Sequence, residues 1–320
     1  MPAPPVSEPL RHLLVPDAAP LPGVPADLPP LPNLAALLAR LRVEHTLAPD
    51  ADSPASPHEL AAARANGLHG EPGRIPWAAF ESGTVGTPCA WLRPVHLQLG
   101  MDAIQLLPPE ALQLDDPASQ ALLAACAPLL AEDGVAARHA APGLWLAQGE
   151  PLRGVVTLSP EHAAGRRLSR AELVQADDPA RQRLLARLQS ELEMLLAAHP
   201  VNQAREAARQ LPVNAVWISG AGVLEAALRP RRDVLVAPQL TRLLQGEAAA
   251  DPAAHAAAWQ AIDAELAAPL LAALRAGEPV RLTLSGPLRA VTLASGNGGL
   301  WQRISSLFGR QALNDVRSQL

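Results

Sequence analysis

Apolar positions along this chain fall into two rhythms, short unbroken runs and longer stretches with helical spacing, and the two alternate along its length. His12–Val15 is the first short run. Pro16 closes it and a proline-rich connection from Pro20 to Pro32 follows, which predicts a strand and then an irregular loop. Asn33 stands where an N-cap belongs, and LAALLARLR behind it lines leucines 34, 37, 38 and 41 along one helical face. A second helix is predicted from Pro57, suited to a first turn, to Asn66, with Asn66 and Gly67 able to take a left-handed stop.

The middle of the chain keeps alternating. AWLRPVHLQL and AIQLL read as strands, Asp116 to Leu130 as a helix, and the apolar runs around Val135 and Leu144 as two more short strands. The longest helical pattern spans Ser169 to Ala198, open to a break near Pro179, with a leucine stripe at 184, 185, 188, 192, 195 and 196. NAVWIS and DVLVA are continuous and β-branched, the signature of strands covered on both faces, so a parallel sheet is expected there. Helices at about 238–246 and 252–276 precede VRLTL, SGP and LRAVTLA, which predict an antiparallel hairpin at the sheet edge.

Together these elements predict an α/β fold, a layered and mainly parallel sheet with helices on both faces. The length of 320 residues allows one domain or two. With no internal repeat, the expectation is a single α/β domain over residues 1–320, residues 1–10 forming a flexible tail.

Composition removes several functions. No stretch reaches the run of about 20 apolar residues needed to span a bilayer, and the N-terminus lacks the pattern of a secretory signal, so a cytoplasmic protein without a membrane role is expected. Cys89 and Cys126 are too few for a disulfide framework and fit a reducing compartment as small core residues. All basic side chains are arginine, and the net charge of −5 argues against a nucleic-acid partner. Arg229, Arg231 and Arg232 form the one dense basic cluster, read as a solvated loop.

The candidate chemistry is sparse. WISGAGVLEAAL puts Gly220 and Gly222 after an apolar run but lacks the third glycine and the lysine of a phosphate loop, which leaves close packing as an equal reading. SGNGG near the end reads as a flexible turn. Nine histidines show no i, i+4 pair for zinc. DADSPASPH gathers Asp50, Asp52, Ser53, Ser56 and His58, able to hold a hard cation or activate a hydroxyl, although such a proline-broken stretch more often makes an exposed turn. His96 is a general-base candidate whose commoner reading is a packed, hydrogen-bonded histidine. Six tryptophans spread evenly read as core anchors.

Several segments in order resemble the archaeal-type cofactor-independent phosphoglycerate mutases of the alkaline phosphatase superfamily. HLLVPDAAP resembles that family's first strand with its metal-binding Asp, here Asp17, and LPNLAALLA its next helix start. DADSPASPHELAAARANGL falls near the nucleophile segment and places Ser53 or Ser56 there. GEPGRIPWAAFESG is similar to a substrate segment, keeping Arg74 and Pro76, and WLRPVHLQLGMDAIQL to a substrate-contacting strand, with Arg93 displaced and His96 in place of an Asn. HPVNQAREAARQLPVNAVWISGAG carries Asn202, Arg205, Asn214, Gly220 and Gly222 in the family's order. The smaller bacterial group of RpfE-type regulatory proteins, phosphoglycerate mutase-like, is taken as the nearest relative.

What the resemblance implies is an alkaline phosphatase-like, reduced fold, with Arg74, Arg93, His96, Asn202, Arg205 and Asn214 as ligand-binding residues for a small phosphorylated or carboxylate acid. The family's late Asp-His segment is replaced by LTLSGPLRA, and a two-metal site cannot be assembled from the remaining residues. The expected function is therefore a non-catalytic regulatory or ligand-sensing protein without cofactor, its protein partner unspecified. The alternative is an active phosphomutase or phosphatase with two divalent ions such as Mn or Zn, ligands drawn from the 50–58 segment, and Ser53 and Asp17 as catalytic residues.

Overall fold

Leu13, Leu14 and Val15 are fully buried, and the strand they form anchors one of two compact units into which the chain divides. In a computed structural model, residues 10–24, 27–100, 103–246, 248–296 and 313–320 are described. The first unit comprises residues up to Asp52, Ser56–Gly67 and Pro230 onwards; the second comprises Ser53–Ala55 and Leu68–Arg229. Residues 1–9 of the expected tail, Gly298 and Gly299 of the expected turn, and Trp301 lie outside the described residues.

The strands are β1 (His12–Val15), β2 (Arg42–Leu47), β3 (Cys89–Val95), β4 (Leu97–Leu99), β5 (Ile104–Leu106), β6 (Ala136–Ala141), β7 (Leu144–Gln148), β8 (Val155–Val156), β9 (Gln175–Ala176), β10 (Ala215–Gly222), β11 (Val234–Val236), β12 (Arg281–Ser285) and β13 (Ala290–Ala294). The helices used below are α1 (Pro32–Leu38), α2 (Pro57–Asn66), α3 (Trp77–Ser82), α4 (Asp116–Glu132), α5 (Pro160–Ala163), α6 (Pro179–Ala197), α7 (Pro200–Ala207), α8 (Gln239–Leu244), α9 (Pro252–Ala261), α10 (Ala268–Arg275) and α11 (Leu313–Arg317).

The first unit holds a five-stranded sheet in the order β11-β1-β12-β13-β2. β11, β1 and β12 run parallel, while β13 is antiparallel to both β12 and β2. Alternation along the strands sends Leu13, Val15, Leu282, Leu284, Val291 and Leu293 into one core with Leu34, Leu37 and Leu38 of α1, Trp259 of α9, and Leu270 and Leu271 of α10. Helix α2 packs against all five strands. Its ends follow sequence chemistry: Ser56 and Glu59 make a reciprocal capping box, and Gly67 stops the helix at φ 75°.

The second unit holds an antiparallel sheet in the order β10-β3-β7-β6 and two short ribbons, β4-β5 and β8-β9. Ala90, Leu92, Trp145, Ala147, Val216 and Ile218 pack with Leu122, Cys126 and Leu130 of α4 and Leu185, Leu188, Leu192 and Leu196 of α6. The leucine stripe is core, as its spacing predicts. Cys89 and Cys126 are free and buried.

The protein is mixed α/β, and the expectation of a mainly parallel sheet is corrected: the first sheet is mixed and the others are antiparallel. NAVWIS does form a strand buried along Ala215–Ser219, but in an antiparallel sheet, because burial on both faces does not encode direction. β11 is an edge strand, with Leu235 and Val236 each 39% exposed. The hairpin β12–β13 forms, yet β2 covers its flank, so it is not the edge. β2 reads RVEHTL and was not expected as a strand, since most of its side chains stay in partial contact with solvent. The pattern from Ser169 gives a single 3-10 turn at Arg170–Glu172, and its α-helix begins only at Pro179. Asn33 is not the cap of α1. Leu31 holds that place without a side-chain bond, and the buried carboxylate of Asp263 accepts from the N–H groups of Asn33 and Leu34.

Candidate functional site

Two polar constellations stand out, one in each unit, and each is described by itself. In the first unit, β1 and β12 are adjacent parallel strands, and the turns beyond their carboxyl ends are where α/β sheets expose room for ligands. Asp17 follows β1 with φ 56°, a left-handed conformation uncommon outside glycine that Asp tolerates better than most residues. Its Oδ2 accepts a hydrogen bond from Thr241 Oγ1 of α8 at 2.6 Å. Ser285 ends β12 and is buried; its Oγ lies 3.5 Å from His58 Nδ1, in the first turn of α2, and donates to the carbonyl of Val15 at 3.5 Å. Burial lowers the pKa of His58, and the charge of Asp17 opposes that shift without cancelling it.

This cluster offers one carboxylate, one imidazole held towards its neutral form, and two hydroxyls. Among the described residues, no group of three or more His, Cys, Asp or Glu side chains comes together as a metal-ligating set. Two divalent cations need several acidic ligands to balance their charge, so this donor set does not fit a two-metal centre.

Ser53, the other proposed catalytic residue, belongs to the second unit. Its Oγ donates to the carbonyl of Ala55 at 2.8 Å and accepts from the Ala55 N–H at 3.2 Å, which closes a local turn. Ser56 is the cap of α2. DADSPASPH therefore gives a turn and a helix start, but not the exposed turn expected, because Ser53, Ala55 and Pro57 are buried.

The six expected ligand-binding residues all lie in the second unit, and four of them converge on the segment leading into β10. Asn202 donates from Nδ2 to the carbonyls of Leu196 and Val213 and accepts from the Val213 N–H. Arg205 donates to the carbonyls of Leu211 and Leu112. His96 Nδ1 lies 2.8 Å from the carbonyl oxygen of Pro212. Asn214 bonds both the N–H and the carbonyl of Leu97, imitating a strand neighbour. These polar atoms satisfy backbone groups. Arg93 lies on β3 opposite Trp217, and its buried Nε has no hydrogen-bond partner.

Arg74 stands apart from those four. Its Nη1 donates to the carbonyl of Gly154 at 3.2 Å, its Nη2 pairs with Asp177, and its Nε is 3.5 Å from Glu71. The hydrogen bond from Arg74 holds the Asp177 carboxyl below its ordinary pKa. Sequence reasoning missed Asp177, Gly154 and Arg181 here, and Thr241 and Ser285 in the first unit. Ser285 alone carried a local signal, as a hydroxyl residue closing a predicted strand.

The glycine pair of WISGAG does not sit between a strand and a helix. β10 continues through Gly222 with a register shift after Ser219, and no helix follows it directly. A β-carbon at Gly220 would come within 2.9 Å of Trp77 Cβ, and one at Gly222 within 2.7 Å of Pro76 Cβ. Close packing against the start of α3 is what these glycines permit. The basic cluster is a solvated loop as expected, with Arg231 paired to Asp233 at 2.7 Å.

No protein-family profile matches the chain, and no curated protein is similar to it at a significant level. Among solved structures it is similar to a cofactor-independent phosphoglycerate mutase from Thermoplasma acidophilum, at 14% identity over 97% of this chain and 98% of that one, with a TM-score of 0.37. It is also similar to the PH0037 protein of Pyrococcus horikoshii, at 14% identity over 91% of this chain and 89% of that one, with a TM-score of 0.41. Likeness at this level fixes neither fold nor activity. No helix among the described residues is long and apolar enough to cross a membrane.

Proposed function

We propose that this chain is a phosphoglycerate mutase-like protein of the RpfE-type regulatory kind, a cytoplasmic sensor that binds a small phosphorylated or carboxylated acid without turning it over. The observation that carries this reading is the donor set beyond the carboxyl ends of β1 and β12. Asp17 is engaged by Thr241, and Ser285 is buried against His58. Phosphoryl transfer through two cations about 4 Å apart needs enough anionic ligands to hold them and a nucleophile they can reach. One carboxylate and one neutral-leaning imidazole leave most of that positive charge uncompensated. Ser53, closed on its own turn, supplies no free hydroxyl. The resemblance in the segments around Asp17, Arg74 and Asn202 supports the mutase-like ancestry.

The test is a coupled mutase assay on the purified chain with 3-phosphoglycerate, alone and with Mn2+ or Zn2+, alongside calorimetric titration of the same acid. The expected result is saturable binding without turnover. Metal-dependent turnover that disappears in Ser53→Ala would overturn the proposal.

A further inference from the structure

Gly154 lies in the left-handed region at φ +68°, and three charged groups close on it. The position a β-carbon would take there is 3.7 Å from Arg181 Nη1, 3.7 Å from Asp177 Oδ2 and 3.8 Å from Arg74 Nη1. Two guanidinium groups and one carboxylate thus share a single small volume. Arg74 is fixed there by a neutral acceptor, the Gly154 carbonyl, so its aim does not depend on Asp177. Arg181 belongs to the first turn of α6, a 19-residue helix anchored in the core by its leucines, and among the described residues it has no ion-pair partner within 4 Å. Asp177 is different: its side chain is 70% exposed and it sits in the short bend between β9 and α6. The other charges nearby are Glu71, on Arg74 Nε, and the Arg153–Glu150 pair.

We propose that Arg74 and Arg181 form an anion clamp for the phosphate or carboxylate group of a small acid, and that Asp177 is its built-in occupant, displaced when the ligand arrives. The idea rests on the ligand-sensing reading above and deepens it by naming the site and its gate. A guanidinium presents paired donors to a planar or tetrahedral anion, and two of them at one point suit a phosphate dianion better than a single carboxylate. The carboxylate that leaves is already near water, so its release exposes no buried charge. The bend that carries it runs straight into α6, which offers a route from an occupied clamp to a moved helix start.

The experiment titrates inorganic phosphate and 3-phosphoglycerate calorimetrically into the full chain as wild type, Asp177→Asn, Arg181→Gln and the double variant. Asp177→Asn removes the internal competitor and should tighten binding about two- to fivefold, the equivalent of one partly exposed ion pair. Arg181→Gln should weaken binding, and the double variant should lose the gain. Both positions contact solvent, and matching thermal midpoints would certify folding. Binding with the same affinity in all four proteins would overturn the clamp while leaving a sensor that binds elsewhere. Absence of binding in every protein, Asp177→Asn included, would overturn both the clamp and the sensing role.

Discussion

His12 begins β1 with its Nε2 2.8 Å from Thr283 Oγ1, which lies 2.8 Å from Thr292 Oγ1, a polar chain crossing three strands. Burial lowers the pKa of His12 to about 4, and the positive charge of Arg281 pushes the same way. Its folded pKa is below the ordinary 6.5, so the unfolded chain takes up a proton first as pH falls. Stability from this residue is complete above pH 6.5, is lost between there and about 4, and falls no further below that. Between pH 7 and pH 5 the loss should be about 2 kcal/mol. His45, His58 and His255, also lowered by burial, add in the same sense. Urea unfolding at the two pH values checks this: His12→Asn should show a smaller drop than wild type, and an equal drop would refute the assignment. Asn202 illustrates the other use of buried polarity. Replacing it with Ala leaves the carbonyl and the N–H of Val213 unpaired and removes one of the donors to the Leu196 carbonyl, which keeps the His199 N–H, at a cost of about 2–4 kcal/mol. If Asn202 serves as scaffold, the loss will appear in denaturation, and the phosphate affinity of the folded variant will match wild type.

Between residue and fold, the elements show what a linear pattern carries. The starts and stops of α2, the leucine face of α6 and the hairpin β12–β13 were legible because each depends on residues adjacent in sequence or on one period. The cap of α1 was not, because its acceptor is 230 positions away in the chain, at Asp263. Asp263→Ala should cost about 2 kcal/mol, since two backbone donors at the start of α1 lose their acceptor and the Asn33 amide keeps only the backbone carbonyl of residue 263. Hydrogen exchange should show the loss first at Asn33 and Leu34. Strand direction was equally illegible: Val216 and Leu13 are buried alike, one in an antiparallel sheet and one beside parallel neighbours. The glycines of β10 give a sharp test of their packing role. Gly222→Ala puts a β-carbon 2.7 Å from Pro76 Cβ and 2.9 Å from its Cα, which the backbone must relieve at about 1–3 kcal/mol. A midpoint in chemical denaturation equal to wild type would show that the contact is not as tight as it stands.

At the scale of the whole chain, the candidate site was legible only in fragments. Asp17 and Arg74 were visible by resemblance, but Thr241 meets Asp17 because β11, which leads into α8, pairs with β1, Ser285 meets His58 because α2 packs on β12, and Asp177 and Arg181 meet Arg74 through a turn at Gly154. Spacing in sequence holds no trace of either meeting. The described residues show few converging anions, and that leads to a prediction about metal. Had a resident cation bound a thousandfold below its concentration, it would stabilise the folded form by about 4 kcal/mol and raise the thermal midpoint by several degrees. Because no trio of His, Cys, Asp or Glu converges among the described residues, removal of metal by EDTA followed by addition of Mn2+ should move the midpoint by less than about one degree. Differential scanning calorimetry reads this directly. A rise of several degrees that vanishes in Asp17→Asn would sink the metal-free reading, because it would mean that Asp17 exchanges its bond to Thr241 for a cation held by ligands brought in from elsewhere in the chain.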